Sequence, residues 1–285
     1  MTVCRLSTRR VLIGRVGSAI GVFGTFLLPW QTAGAASTPS RAGRRGQGRV
    51  DTGRAPLVML DPGHGGKDPG AIGVSGTYEK HISLAAGVEL KRLLEAEGRY
   101  RVALTRTRDV FIPLEQRVEI ADGQGAALFV SMHADALPYH DVRGASVYTL
   151  SNTASDPESA ALAARENSAD RFLGPTYRAV TPQIASILSS LVRRETRVES
   201  ARLARQMVGS LEQDVLMLPN PDRHAGFVVL QSAEIPSILV EMGFMSNPQD
   251  EGFLRRPAYR ARVASAMRQA IDDYFAATRD REMTG

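Results

Sequence analysis

The most constraining feature of the sequence is a regular alternation of strand-like and helix-like segments that begins at Leu57. Short apolar runs typical of buried strands are separated by segments with the apolar spacing of amphipathic helices. The predicted strands are Leu57–Leu60, Tyr100–Arg106, Ala127–His133, Gly144–Leu150, Gly226–Leu230 and Pro236–Met242. The predicted helices are Glu79–Gly98, Pro113–Gly125 and about Pro257–Thr278. The alternation predicts a three-layer α/β/α domain over residues 56–280, with helices on both faces of a mostly parallel, twisted sheet of about six strands.

One segment, from about residue 151 to 218, interrupts this alternation. It has no strand-like run, and it contains the helix-like stretch "DPESAALAARENSADRF" and a long amphipathic stretch that starts at Thr181. A crossover between parallel strands needs only about a dozen residues, so this segment is several times longer than the topology requires. The sequence therefore predicts a helical insertion packed against the core.

The N-terminal segment is predicted to be an export signal. A twin arginine, Arg9-Arg10, precedes an apolar run from Val16 to Leu28, and Ala33-Gly34-Ala35 is typical of a cleavage site. We therefore expect residues 1–35 to be a twin-arginine signal peptide and the protein to reside in the periplasm. Because the apolar run is short and rich in glycine, no stable membrane insertion is expected after cleavage, although an uncleaved anchor is the alternative.

The charge of the chain is concentrated ahead of the folded region. The formal net charge of +5 would by itself suggest an anionic partner such as nucleic acid. Residues 1–55, however, hold 9 arginines and 1 acidic residue, and removing these from the totals of 35 and 30 leaves 26 basic and 29 acidic side chains. Nucleic acid is therefore not an expected partner. Residues 36–55 are predicted to be a flexible basic linker. The only cysteine, Cys4, lies in the signal, so any metal site must use histidines and carboxylates.

The first predicted strand runs into a glycine-rich loop, "LDPGHGGKDPG", from Leu60 to Gly70. Such a loop could bind a phosphate, form a plain turn or present a metal ligand. A Walker-type phosphate loop has glycine where Asp61 stands and Ser or Thr where Asp68 stands. Because an acidic side chain repels phosphate, nucleotide binding is not expected. The glycines instead allow a sharp turn that exposes His64 at the carboxyl end of the strand.

Other ionisable residues occupy similar positions. His133 ends the third predicted strand, Glu241 lies at the end of the last one, and Glu79 begins the first helix. Each residue alone fits a structural role as well as a functional one. Together, two imidazoles and a carboxylate form a typical catalytic zinc set, and a second carboxylate can serve as the general base.

These residues lie in stretches that resemble the zinc-dependent N-acetylmuramoyl-L-alanine amidases of bacterial cell division. The matching stretches are "LDPGHGGKDPGAIG", "EKHISL", "TRTRDVFIPLEQRVEIA", "LFVSMHADA", "RGASVYTLS" and "ILVEMGFMSNPQDEGFL", and they follow one another in the family's order. The resemblance implies that His64, Glu79 and His133 bind one zinc ion per chain and that Glu241 is catalytic.

The activity implied by this resemblance is hydrolysis of peptidoglycan, in cell-wall remodelling and daughter-cell separation. The bond cleaved joins the lactyl group of N-acetylmuramic acid to L-alanine of the stem peptide. Glu241 would take a proton from zinc-activated water and pass it to the leaving amine. Asp135, two residues beyond His133, either orients that imidazole or caps the following loop. The rival functions are another zinc amide hydrolase, such as an envelope deacetylase, and a peptidoglycan-binding module without turnover.

The insertion resembles the autoinhibitory region of the same family, in which a helix covers the zinc cleft until a LytM-type activator protein withdraws it. The resemblance implies that Glu166, with Glu158 as second candidate, contacts the zinc ion. A solvated glutamate on a helix face is the alternative. His224, which lies just before a predicted strand, is placed near the cleft rim, where it would touch substrate. A surface or packing role is expected for His81 and no specific role for His140, whereas paired or buried structural roles account for Arg106 and Arg117 as well as functional ones do.

Overall fold

The computed structural model describes residues 55–173 and 193–284, and within them the strands form one six-stranded sheet. The strands are β1 (Leu57–Pro62), β2 (Arg101–Leu104), β3 (Leu128–His133), β4 (Ala145–Leu150), β5 (Met217–Ala225) and β6 (Ser237–Glu241). The predicted signal peptide, almost all of the predicted linker and residues 174–192 of the predicted insertion lie outside the described residues.

The strand order in the sheet is β2-β1-β3-β6-β4-β5. Strands β2, β1, β3 and β6 are parallel, β4 runs antiparallel to β6, and β5 is parallel to β4. Only one of the five pairings is therefore antiparallel, which confirms the prediction of a mostly parallel sheet.

Helices cover both faces of this sheet. They are α1 (Glu79–Glu95), α2 (Leu114–Gly123), α3 (Pro157–Asn167), α4 (Arg194–Leu211), α5 (Pro248–Leu254) and α6 (Pro257–Thr284). On one face, buried side chains of α1, α4 and α6 pack against strand residues that include Val58 and Leu60. On the other face, α2 and α3 pack against residues that include Leu57 and Met59. Alternate residues of β1 thus enter opposite cores, as the two-residue period of a strand requires, and the three-layer prediction is confirmed.

One local prediction near the edge of the sheet is wrong. Gly226–Leu230 was expected to be a strand, but Val228–Leu230 forms a turn of 3-10 helix that packs under α2. The strand lies just before it, as β5, and it contains two prolines, Pro219 and Pro221. Proline removes a ladder hydrogen bond and is tolerated mainly at sheet edges, so an edge strand of this composition carries little sequence signal.

The predicted insertion contributes to both faces. Within it, α4 buries Leu203, Ala204, Met207 and Leu211 in the same core as α1 and α6, so this helix is part of the three-layer body. Helix α3 lies on the opposite face, where Leu162 and Ala163 are buried. No helix among the described residues is long and apolar enough to span a membrane.

Candidate metal centre

Three parallel strands end at the same edge of the sheet, and their last residues begin the site. Pro62 at the end of β1 pairs with Met132, and His133 at the end of β3 pairs with Glu241 at the end of β6. His64 follows β1 by two residues. This arrangement brings the predicted residues together for the reason given by the sequence, because the carboxyl ends of parallel strands meet at one edge.

The loop after β1 turns sharply to present His64. Its φ of 62° is in the left-handed region, which is unusual for a residue with a side chain, and Gly65 and Gly66 continue the turn with φ of 124° and 59°. His64 Nδ1 lies 2.8 Å from Asp68 Oδ2. This contact orients the ring, and it leaves Nε2 as the nitrogen that faces the other site residues.

Two buried arginines hold the backbone of this loop. Arg117 donates to the carbonyl of His64 at 2.8 Å and to Asp61 Oδ1 at 2.8 Å. Arg106 donates to the carbonyls of Pro62 and Gly63 at 2.9 and 2.8 Å. Both arginines therefore have the structural roles expected of them, and they fix the conformation from which His64 projects.

A glycine is required where the loop passes His133. A Cβ atom on Gly63 would lie 2.7 Å from Nδ1 of His133 and closer still to Cε1 and Nε2. At Gly70, whose φ is 67°, a Cβ atom would lie 2.6 Å from Cδ2 of His64 and 2.7 Å from Glu79 Oε2. The absence of side chains at these glycines thus allows the two imidazole rings to lie close together, with centroids 4.8 Å apart.

Glu79 lies between the two imidazoles at the start of α1. Its Oε2 is 3.1 Å from His64 Nε2, and its Oε1 is 3.2 Å from His133 Nδ1. Both oxygens also accept backbone hydrogen bonds, from Ala71 at 2.8 Å and from Ala134 at 2.7 Å. Burial raises the pKa of Glu79, but the nearby His64 and His133 outweigh it and hold that pKa well below its usual range.

Glu241 is completely buried at the end of β6. Its Oε2 accepts a hydrogen bond of 2.9 Å from the backbone N–H of Asp135. Burial raises the pKa of Glu241 well above its usual range, and the negative charges of Glu79, Asp135 and Glu166 raise it further. A carboxyl group in this environment holds a proton more readily than one in water.

The C-terminal turn of α3 brings Glu166 into the same cluster. Glu166 Oε2 lies 3.5 Å from His64 Nε2 and 3.3 Å from His133 Nδ1, and the side chain is buried. Glu158, the second candidate, lies exposed in the first turn of the same helix. The structure therefore brings Glu166, and not Glu158, to the histidines.

Polar contacts on either side of Glu166 hold α3 in this position. Arg165 Nε donates to Asp135 Oδ2 at 2.8 Å. The side chain of Asn167 donates to the carbonyl of Gly226 at 2.8 Å and accepts from the N–H of Val228 at 2.9 Å. Both neighbours of Glu166 are thus bonded to the body of the domain.

The donor set of the cluster suits a metal ion. One ligand atom each from His64, His133 and Glu166 lie within 4.8 Å of one another. His64 Nε2 and Glu241 Oε1 are buried and have no hydrogen-bond partner among the described residues. Buried polar atoms are rarely left unsatisfied, and imidazole nitrogens and carboxylate oxygens are common metal ligands. The residues therefore form a possible metal site at the carboxyl edge of the sheet.

The structure shows the contacts of two further candidate residues. Asp135 was expected to orient His133 or to cap the following loop. Its Oδ1 accepts from the N–H of Ala136 at 2.6 Å, which agrees with the capping alternative, and its Oδ2 accepts from Arg165. Glu79 is the carboxylate beside His133 Nδ1. His224 was expected at the cleft rim, and its Nδ1 is 2.6 Å from Ser155 Oγ, just before α3. Its bond therefore anchors the segment that leads into α3.

Two residues of this site were not identified from the sequence. Asp68 orients His64, and its position four residues later in a tight loop is a signal for this role. The sequence pattern was interpreted only as a charge that repels phosphate. Arg165 has no comparable signal, because its partner Asp135 is 30 positions away. His81 is exposed, as expected of a surface residue. No specific role was expected for His140, but its Nδ1 lies 2.8 Å from the carbonyl of Ser246.

Comparisons with known proteins agree with this geometry. A family model described as N-acetylmuramoyl-L-alanine amidase matches residues 58–273, a range that includes the whole cluster. The chain is 41% identical over 225 residues to N-acetylmuramoyl-L-alanine amidase AmiA of Salmonella typhimurium, covering 79% of this chain and 78% of the relative. It resembles the solved N-acetylmuramoyl-L-alanine amidase AmiC2 of Nostoc punctiforme at 28% identity and a TM-score of 0.55, over 78% of this chain and 98% of that one. The CwlD amidase of Clostridioides difficile, solved in complex with the GerS lipoprotein, shares the fold at 24% identity and a TM-score of 0.58, over 78% and 99% of the two chains.

Proposed function

Since the chain belongs to the N-acetylmuramoyl-L-alanine amidase family, we propose that its buried cluster hydrolyses the amide between the lactyl group of N-acetylmuramic acid and L-alanine of the stem peptide. The observation that carries this proposal is the convergence of two histidines and two buried glutamates at one sheet edge. A histidine and carboxylate set of this kind is typical of metal-dependent amide hydrolysis.

His64, His133 and Glu79 are proposed to hold one zinc ion per chain. Zinc, when bound, supplies a Lewis acid that polarises the scissile carbonyl and lowers the pKa of a water molecule. The chain's own contribution is to fix the ligands: Asp68 orients His64, and backbone N–H groups of Ala71 and Ala134 hold the Glu79 carboxylate. Because these bonds already restrict the ligand side chains, less conformational freedom is lost when the metal binds.

Glu241 is proposed to be the general base. Its raised pKa suits a group that accepts a proton from water and then donates it to the leaving alanine nitrogen. The backbone N–H of Asp135 holds one of its oxygens in place, and the other oxygen has no hydrogen-bond partner among the described residues. That second oxygen is the one free to exchange the proton.

The structure described here is proposed to be the blocked form of the enzyme. Glu166 lies against both histidines, so α3 covers the place where water and the scissile carbonyl must enter. The bonds of Arg165 and Asn167 keep α3 closed. We propose that a LytM-type activator protein withdraws it. The wider role proposed is cell-wall remodelling and daughter-cell separation in the periplasm, after export by the twin-arginine pathway.

Digestion of purified sacculi tests the reaction. The protein lacking residues 1–35 is loaded with zinc and compared with its Glu166→Ala and Glu241→Gln variants. Soluble stem peptides that begin with a free L-alanine amino group are the expected product, and mass spectrometry identifies them; a deacetylase would instead release acetate and no stem peptide. Glu241→Gln should reduce the rate by about 10²–10⁴-fold while retaining zinc.

Two results would contradict the proposal. If Glu166→Ala binds zinc but yields no such peptide, the site is not an amidase centre. If adding Glu241→Gln to Glu166→Ala leaves the activity of Glu166→Ala unchanged, another group is the base.

A further inference from the structure

Helix α3 places two consecutive charged residues in the site, and only one of them faces the histidines. Glu166 lies against His64 and His133, whereas Arg165 pairs with Asp135 at 2.8 Å. Asp135 is 2% exposed, so a cation that binds its carboxylate must come from α3 or from something that enters the cleft. Glu166 by itself is enough to cover the two histidines. The pairing of Arg165 with Asp135 is not needed for that, and it therefore indicates a second binding position beside the histidines.

The Asp135 carboxylate has a fixed place next to the proposed base. The backbone N–H of Asp135 donates to Glu241 Oε2, and its carbonyl accepts from the N–H of Met245 at 2.8 Å. Its Oδ1 accepts from the N–H of Ala136, whereas Oδ2 accepts from Arg165. When α3 is withdrawn, Oδ2 loses this cation and faces the cleft in the same residue whose backbone N–H holds Glu241.

We infer that Asp135 forms a subsite for the amino group that hydrolysis releases from L-alanine, and that Arg165 fills this subsite in the blocked form. The inference rests on the proposed function. In that reaction the water oxygen forms the new C–O bond to the lactyl carbonyl carbon, and the C–N bond breaks with its electron pair going to nitrogen. Both protons of the water end on that nitrogen, one of them through Glu241. The products are a lactyl carboxylate and a primary ammonium group, which appears beside Asp135.

Withdrawal of α3 removes the cation that pairs with Asp135 in the blocked form. Glu79, Asp135 and Glu241 are all buried carboxyl groups that remain when α3 leaves. Glu166 and Arg165 leave together as a pair of opposite charges, so opening does not change the sum of the charges there. A primary ammonium group can donate to Asp135 Oδ2 as the guanidinium of Arg165 does, and charge-assisted hydrogen bonds of this kind are among the stronger ones in proteins.

Inhibition by the product tests the subsite. The probes are a stem tripeptide with a free L-alanine amino group and the same tripeptide N-acetylated, and their binding to the zinc-loaded protein is measured by calorimetry and as inhibition of sacculus digestion. In the Glu166→Ala protein, the free tripeptide should bind about tenfold more tightly than the acetylated one. Adding Asp135→Asn should remove that difference and leave the zinc affinity unchanged. If Asp135 only supported the metal site, the substitution would lower the zinc affinity.

A second pair of variants keeps the test independent of Asp135→Asn. In the otherwise unaltered chain, Arg165→Gln should strengthen binding of the free tripeptide, because it empties the subsite. The matched control Arg171→Gln, an exposed arginine in the same segment, should not. Equal binding of the two tripeptides to Glu166→Ala, or equal effects of the two arginine substitutions, would overturn the inference. Failure of every variant to digest sacculi would instead refute the proposed function, while the calorimetric comparison would still decide the subsite.

Discussion

Replacing Asp61 with asparagine tests how strongly the loop that carries His64 depends on charge. Asp61 is fully buried and accepts three hydrogen bonds, from Thr105 at 2.6 Å, Ser131 at 2.7 Å and Arg117 at 2.8 Å. Asparagine has nearly the same shape, and its amide can still bond the two hydroxyl groups. The main change is therefore that the positive charge of Arg117 stays buried without its partner.

The expected loss of unfolding free energy follows from the burial of both Asp61 and Arg117. Only 2% of Arg117 is exposed, so solvent cannot replace the lost carboxylate. Breaking a buried pair by removing one partner typically costs about 3–5 kcal/mol of unfolding free energy. With an m value of about 3 kcal/mol/M, the urea midpoint should fall by about 1–1.7 M.

The pH dependence of the same variant has a defined sign. Burial raises the pKa of Asp61, but the attraction of Arg117 and the hydrogen bonds from Thr105 and Ser131 hold it below its ordinary value of 3.8. A folded-state pKa below the unfolded one contributes stability that is present above the unfolded value and is lost as the pH falls through the folded value. The stability difference between parent and Asp61→Asn should therefore be constant near neutral pH and shrink below about pH 4.

Urea denaturation of the metal-free protein, followed by circular dichroism at several pH values, measures both effects. The control is Glu89→Gln, which breaks the pair with Arg92 on the surface of α1, where Arg92 is 62% exposed and water replaces the partner. This control should leave the midpoint almost unchanged. If Asp61→Asn shifts the midpoint no more than Glu89→Gln does, the buried pair does not stabilise the loop as argued.

Three further predictions concern the site. Glu166→Ala should raise the rate of sacculus digestion without an activator about tenfold or more, because one charge-assisted contact of the blocking helix is lost; an unchanged rate would show that Glu166 does not limit activity. Gly63→Ala should weaken zinc binding in calorimetric titrations, since the new Cβ would overlap the ring of His133. The control Gly209→Ala has open space around it and should bind zinc like the parent. A chelator should abolish digestion and added zinc should restore it; full activity of the metal-free protein would rule out the proposed mechanism.

The parts of the fold that the sequence predicted are those where burial dictates residue type. β1, β3 and β6 are continuous apolar runs because both faces of the sheet are covered, and the same runs end in the residues that form the site. Strand β5 was missed because one side of an edge strand needs no ladder partner, which allows Pro219 and Pro221. The run after it was taken for a strand because a short apolar stretch has no period that separates a strand from a buried turn.

The part of the site that the sequence did not predict depends on contacts between distant residues. His64 and His133 could be placed together because one follows a strand and the other ends one. Arg165 could not be placed, since an arginine on an amphipathic helix has the same local pattern whether it faces solvent or a buried carboxylate. The register that turns it toward Asp135 is set by the packing of Leu162 and Ala163 on the sheet, which the sequence does not show.

The reversed direction of β4 determines how α3, the helix proposed to block the site, is attached. Because Ser146 near the start of β4 pairs with Glu241, the chain leaves β4 at the edge of the sheet away from the metal centre, and α3 returns toward it. Glu166 is thus joined covalently to the domain on both sides, through β4 and through α4. Tethered groups act at effective concentrations of about millimolar order, so contacts too weak to hold a free peptide can still hold α3 in place. A free peptide with the sequence of α3 should therefore be a poor inhibitor, and an activator has to break the contacts of Arg165 and Asn167 as well as that of Glu166.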